Sequence, residues 1–400
     1  MYKRQLLDIG DFIEVQGKVF QTEAGEISIL VDDFQLLTKS LRPLPSQWHG
    51  LKDVEERYRQ RYVDLLVNPQ VRHIFEIRTQ VVNELRDYLN QYGGMEVETP
   101  ILQPLYGGAT ARPFITHHQA LKSDFYLRIS NELYLKRLIA GGFEFVYEFS
   151  KDFRNEGIDW QHNPEFTQLE FYWAWKNYQD LMEFTEKMLS KIIKKVTGKE
   201  TIKIRGKEVS FKPPWERKTF REALLESTGI DIDKVNNEEK LKQEIKKRKL
   251  KLDLKGVVGY GALLDLFYKQ FVRPDLVGPV FLYDWPVEMV PLAKRKADQP
   301  DYVESFQPLV MGTEILLAYS ELNDPLDQRK RWEEEMKLAK KGLEEHQVLD
   351  EDYLRALEYG LPPLAGWGMG IDRFVMLITG VSNLKETILF PTLRPEKKKK

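Results

Sequence analysis

The 400-residue chain contains no cysteine, which excludes disulfides and thiolate-held metal sites. It has no run of about 18 apolar residues, so no membrane span is expected. Its first residues, MYKRQLLDIGD, lack the apolar core of a signal peptide. These absences point to a cytoplasmic protein with no membrane partner. Charge of one sign is also lacking: the net charge is −2, so any contact with a polyanion must come from a local patch. Three phosphate- or metal-handling patterns are missing, GxxxxGK[ST], GxGxxG after a strand, and HExxH. What remains is a globular mix, 42% apolar and 30% charged, long enough for two or three domains and a large core.

Residues 11–37 read as two strands. Phe12, Val15, Val19 and Phe20 lie in the first, Ile27, Ile29 and Val31 alternate in the second, and Glu23-Ala24-Gly25 form the turn. Prolines at 43 and 45 mark 41–50 as a linker. Helices are expected at 51–66 and 68–92, the second from the near-helical spacing of Val71, Ile74, Ile77, Val81, Leu85 and Leu89. GGMEVETPIL then breaks the helix, and 123–175 alternates strands with one helix at 131–140. Residues 176–255 read as a helical, charged region inserted between catalytic strands, with a small hairpin at 201–211. Strands return over 278–323, a charged helix covers 325–346, and 361–380 joins a glycine-rich segment to an apolar helix. The final four lysines read as a disordered tail.

Three stretches carry chemistry. FRNEGIDWQHNPEF (153–166) is a polar loop between two strands, 144–150 and 165–175. Alternation puts Phe166, Gln168, Glu170 and Tyr172 on one face of the second strand and Thr167, Leu169, Phe171 and Trp173 on the other. The first face suits a pocket or a solvated edge about equally. In TEILLAYSELNDP, Leu317, Tyr319 and Glu321 share a face, with Glu314 opposite unless a bulge intervenes. Glu132 opens a helix, where a carboxylate is often a cap-region charge. AGWGMGIDR (365–373) has glycines that suit close backbone packing, or phosphate at a helix N-terminus, and its Asp372-Arg373 pair suits an ordinary ion pair.

Together these residues resemble a known family. FRNEG…HNPEF…ExY resembles motif 2 of the class II aminoacyl-tRNA synthetases, GMGIDRFVMLITG…ILFP resembles motif 3, and GGMEVETPIL resembles motif 1. ARPFITHH, RYRQRYVDL, YSELNDP and ALEYGLPP narrow the likeness to the lysyl-tRNA synthetase family, over about residues 10 to 395. The resemblance implies an α+β fold: an antiparallel sheet flanked by helices, preceded by a partial OB-fold over 1–45, with the catalytic domain over 46–400. It implies ATP-dependent formation of lysyl adenylate, transfer to tRNA, and a homodimer through motif 1. Arg154, Glu156 and Arg373 take catalytic roles. His162, Asn163, Phe166 and Glu314 join them on ATP, with Phe166 under the adenine. Gly108, Glu132, Glu170, Tyr172, Tyr319 and Glu321 take lysine, with Glu170 and Glu321 on the ε-ammonium and Glu132 with Gly108 on the α-amine. Magnesium is implied, with Glu314, Gln307 and Glu321 as its candidate ligands.

The chain departs from the family at four places. The hairpin matches only the last OB-fold strands, which suggests a truncated chain and puts anticodon contact in question. Gln307 stands where the family has a metal-binding glutamate. Leu317 stands where an asparagine steadies the substrate carboxylate, and Ser130-Asn131 replaces Ala-Pro. Lysine–tRNA ligation leads the functional readings. The alternatives are a paralog that passes lysyl adenylate to a protein or small amine, and a catalytically inactive binding module.

Overall fold

The computed structural model describes residues 7–45, 51–340 and 347–396. Part of the expected linker (46–50), the end of the charged helix (341–346) and the lysine tail (397–400) lie outside the described residues. The chain divides into two compact units, Met1–His73 and Ile74–Lys400.

In the first unit, β1 (Phe12–Gln21) and β2 (Ile27–Thr38) form the expected antiparallel hairpin. Two strands have no second layer to bury against, and the apolar residues stay exposed, Val19 at 70% and Ile27 at 82%. The helix expected at 51–66 is two helices, α1 (Val54–Arg59) and α2 (Arg61–Val67). They part at Gln60. The buried Asp64 carboxylate gathers Arg57 (2.9 Å), Arg61 (2.6 Å) and the Asn68 amide (2.7 Å) around this break. Helix α3 (Pro69–Gln91) follows.

The second unit takes up α3 from Ile74 and continues through short strands β3 (Met95–Glu96), β4 (Leu102–Gln103), β5 (Ile115–His118) and β6 (Ser123–Leu127). Helix α4 (Glu132–Ala140) leads into the long hairpin β7 (Phe145–Phe153) and β8 (Glu165–Ala174). Then come α5 (Tyr178–Thr197), β9 (Thr201–Ile204), β10 (Lys207–Ser210), β11 (Glu216–Thr219), α6 (Phe220–Thr228), α7 (Glu238–Lys247) and α8 (Tyr260–Phe271). The last part holds β12 (Val280–Pro286), β13 (Tyr302–Val310), β14 (Thr313–Glu314), β15 (Leu316–Ser320), α9 (Pro325–Ala339), α10 (Glu351–Glu358), β16 (Leu364–Gly370) and α11 (Ile371–Thr379).

Nine of these strands make one sheet in the order β11-β12-β13-β15-β16-β8-β7-β3, with β14 beside β13. The interior is antiparallel as expected, but both edges are not: β11 pairs β12 in parallel, and β3 pairs β7 in parallel. The stretch 176–255 is therefore more than helical, because it supplies an edge strand. Helix α5 is capped by an Asn177/Asp180 box and buries Leu181, Met188, Leu189 and Ile192 in the main core. That core lies against one face of the sheet, where Phe171 stacks on Trp367 at 4.9 Å and α3 contributes Val81 and Leu85. A second cluster joins α4, α6 and α8 to β12 through Leu135, Phe220, Phe267 and Leu282. Among the described residues no helix is long and apolar enough to cross a membrane.

Candidate active site

The site is built on the face of β8 opposite the core. Leu169 and Phe171 are fully buried on one side, and Phe166, Gln168, Glu170 and Tyr172 line a cavity of about 380 Å³ on the other. The pocket reading of that face therefore prevails over the solvated edge. Glycines in β16 make room for it: a Cβ at Gly366 would run into Glu321 Oε1 and Tyr172 Cε1. These glycines let side chains from neighbouring strands lie across the sheet, which the close-backbone reading did not anticipate. Gly366→Ala is expected to destabilise the fold by about 1–3 kcal/mol, since overpacking at a filled site displaces the groups it strikes. Denaturant unfolding of the variant checks this.

One end of the cavity is cationic. Arg154 N donates to Pro164 O (2.8 Å), which closes the base of the 153–166 loop. Its guanidinium lies 5.1 Å from the Phe166 ring centroid and forms no ion pair among the described residues. Arg373 lines the same space. Burial pulls its guanidinium below the ordinary range, as do the charges of Arg273 and Arg154, while Glu314 opposes the shift. Glu156 and His162 also line this end. Asp159 orients the His162 ring through Nδ1 (2.8 Å) and accepts from the backbone N–H of Gln161 (2.7 Å). Although burial works against it, these bonds hold the Asp159 carboxyl below the usual range. Asn163 lines the cavity too, but its amide is engaged with Glu165 O (2.5 Å) and Thr392 N (3.2 Å).

Asp372 does not pair with its neighbour Arg373. It accepts from Arg78 of α3 (2.5 Å) and from Thr167 N (2.7 Å), joining α3, β8 and α11. The pairing is invisible to local reading because the partner is distant in sequence.

Glu314 reaches the cavity because the strand is interrupted at Ile315, between β14 and β15. Arg273 pairs with it at 3.3 Å. Gln307 also faces the cavity, and its Oε1 is buried with no hydrogen-bond partner among the described residues. One carboxylate and one unengaged amide oxygen fit a magnesium ion that keeps water and phosphate oxygens as its other ligands. No cluster of three or more His, Cys, Asp or Glu suited to a metal occurs among the described residues.

The opposite end is a buried carboxylate cluster. Glu132, Glu170 and Glu321 are 4%, 4% and 1% exposed. Gly108, at φ +81°, lets the backbone approach Glu132 where a Cβ would meet its Cβ at 3.0 Å. Sequence reasoning missed the group at the centre: Lys136, fully buried, bridges Glu132 (2.6 Å) and Glu321. Tyr319 donates to the same Glu132 oxygen (2.8 Å). Lys136 Nζ sits 5.7 Å from the ring centroids of both Tyr172 and Tyr319. Glu321 does not line the cavity itself, and its Oε1 has no hydrogen-bond partner among the described residues.

Glu170 pairs with no cation among the described residues. It accepts from Gln168, from Ser130 Oγ (3.3 Å) and from the Tyr172 hydroxyl (3.3 Å). Burial, and the charges of Glu132 and Asp152, push its carboxyl well above the usual range. Ser130, one of the departures, thus touches the pocket, while Asn131 donates to Glu148 behind it (2.9 Å). Leu317 lines the cavity as an apolar wall.

Burial also pushes Asp152 up to about 6, against the charges of Arg128 and Arg154. Its folded pKa lies above its unfolded one, so the native state binds this proton more tightly. The stability it contributes is present below about pH 4 and is lost as pH rises through about 6. The unfolding free energy of Asp152→Asn relative to wild type should therefore shift in the variant's favour over that window, by up to about 3 kcal/mol. Denaturant titrations at pH 4 and pH 7 check the direction.

The cavity, cationic at one end and lined by carboxylates at the other, thus lies on a sheet with an antiparallel interior. The family model for class II tRNA synthetases (D, K and N) matches residues 53–394. The chain belongs to that family. It is 50% identical to a Lysine--tRNA ligase of Syntrophomonas wolfei over 395 residues, 99% of this chain and 79% of the relative. It is 48% identical to that of Clostridium tetani, covering 97% of this chain and 78% of the relative. It is 50% identical to that of Porphyromonas gingivalis (strain ATCC BAA-308 / W83), covering 98% and 69%. Within the class, its place is among the lysine–tRNA ligases.

Proposed function

We propose that this chain activates lysine with ATP and transfers the lysyl group to the 3′ end of lysine tRNA. The observation that carries the reading is the carboxylate cluster at one end of a cavity whose other end holds guanidinium groups, Arg154 and Arg373, with no ion pair among the described residues. An ε-ammonium leaving water needs ionised, hydrogen-bonded partners. Glu170, whose carboxyl is raised by burial and nearby charge, would ionise as the ammonium arrives, with Glu321 behind it and Tyr172 and Tyr319 along the alkyl stem. Glu132 and the backbone at Gly108 receive the α-amine. Glu132 and Glu321 arrive already paired to Lys136, so the substrate meets a cluster with net charge and not a bare trio of anions.

In the first step the lysine carboxylate oxygen attacks the α-phosphorus of ATP. A new P–O bond forms, the bond to the bridging oxygen breaks, and pyrophosphate leaves with that electron pair. Arg154 stabilises charge growing on the α-phosphate oxygens, a fixed cation needing no reorganisation. Phe166 carries the adenine, Glu156 orients the nucleotide, and Arg373 and His162 hold outer phosphates. Asn163 keeps the loop closed on β8. Magnesium, when bound, would be held by Glu314 and Gln307 and would neutralise charge on the outer phosphates. Glu321 is left out of that set because Lys136 takes its charge. In the second step the terminal ribose hydroxyl attacks the lysyl carbonyl, and AMP leaves.

The reading includes a homodimer through the motif 1 segment, supported by the exposed Tyr92, Met95, Ile101 and Leu102. It also keeps residues 1–45 as the part of an OB-fold beside a catalytic domain over 46–400. Charging with labelled lysine tests the acceptor. Label on tRNA and none on protein is the expected result; label on protein with uncharged tRNA would overturn it.

A further inference from the structure

The small hairpin β9–β10 carries no family motif, yet its tip touches two segments whose neighbouring residues, His162 and Glu314, line the cavity. Arg205 occupies the turn at φ +47°. Its guanidinium donates to Met311 O (2.9 Å) and to Thr313 Oγ1 (3.0 Å), next to Glu314. The same guanidinium lies 5.4 Å from the ring centroid of Trp160, in the 153–166 loop. Trp160 stands two residues before His162, and its carbonyl accepts from Leu384 N (2.9 Å). Both His162 and Leu384 line the cavity. From the other side Arg273 donates to Gly312 O (2.5 Å) and pairs with Glu314 (3.3 Å).

We propose that Arg205 and Arg273 clamp the 311–314 turn, and that Arg205 latches this turn to the Trp160 loop, so that both are positioning residues for the nucleotide. An arginine over an exposed tryptophan is by itself an ordinary surface contact. Two facts set this one apart. Its two ends fall on the segments that carry His162 and Glu314. A guanidinium also offers the fork needed to bond a carbonyl and a hydroxyl while keeping its face on a ring. Arg205 is exposed and Trp160 is 45% exposed, so neither holds the core together. The clamp fixes the spacing between the loop and the Glu314 turn before ATP arrives, so its loss should weaken ATP and leave lysine alone.

The inference rests on the proposed function only in naming ATP as the ligand. The test uses the full chain, with Arg205→Ala, Arg205→Lys, Trp160→Ala and the double alanine variant. ATP affinity is read by calorimetry, and KM values for ATP and lysine by pyrophosphate exchange. Arg205→Ala should raise both the Kd and the KM for ATP about five- to tenfold, the size of a lost positioning contact. Its lysine KM should stay within about twofold, with an unchanged melting temperature. Lysine at 205 keeps the charge but not the fork, so it should restore only part of the loss. The double variant should be no worse than about twofold beyond the weaker-binding single one, since both remove one latch. Unchanged ATP affinity in Arg205→Ala, or an equal rise in the lysine KM, overturns the clamp. A wild-type chain that binds ATP but exchanges with no lysine overturns the functional reading, and the calorimetric comparison still decides the clamp.

Discussion

Arg154→Ala should lower lysine-dependent ATP–pyrophosphate exchange by at least about 10²- to 10³-fold, the usual consequence of removing a preorganised stabiliser of transition-state charge. The fold should survive. The guanidinium is half-buried, makes no ion pair among the described residues, and has only a long hydrogen bond to Ile129 O (3.4 Å) besides the Phe166 ring. Truncation removes only that long bond and one of the two cationic charges acting on buried Asp152, so the melting temperature should move by no more than a few degrees. Activity and stability separate cleanly at this residue. Near-normal exchange would remove Arg154 from the role given to it.

Lys136→Met is expected to act on both. Burial opposes the charge on Lys136, but Glu132 and Glu321 overcome it and raise its pKa above the ordinary lysine range. Deleting the ammonium leaves two buried carboxylates sharing a site without their cation. Breaking a buried pair by removing one partner typically costs roughly 3–5 kcal/mol, measurable by denaturant unfolding. The lysine KM should rise with little change in that for ATP, because Glu132 and Glu321 lose the bridge that holds them in place. A variant as stable as wild type, with an unchanged lysine KM, would mean that the bridge is incidental.

The two arginine and lysine cases also mark what the sequence could tell. The two faces of β8 were legible because strand alternation is strictly local, and the structure keeps Leu169 and Phe171 in the core and Glu170 and Tyr172 in the pocket. Lys136 was not legible. A glutamate four residues before a lysine on a helix is the commonest of solvated surface pairs, and only the packing of α4 beneath β8 turns it into a buried bridge. Glu314 was ambiguous because its face depends on the break at Ile315, which pairing with β13 decides. Strand β11 has the sequence ERKT, with no apolar alternation, and becomes a strand by joining β12. The Asp372–Arg78 and Arg205–Trp160 contacts bring together segments that no local pattern connects. Where the resemblance spoke, at the loop and at the pocket glutamates, the residues it named share one cavity or its immediate wall. It was silent on Lys136 and Arg273, the cations that pair with those glutamates.

The central claim is that this cavity joins lysine to ATP. Pyrophosphate exchange with the purified chain, run with each of the standard amino acids in turn, tests it most directly. The account predicts exchange that depends on lysine and is lost in Arg154→Ala. Exchange with no amino acid, or exchange driven by an acidic one, would contradict it.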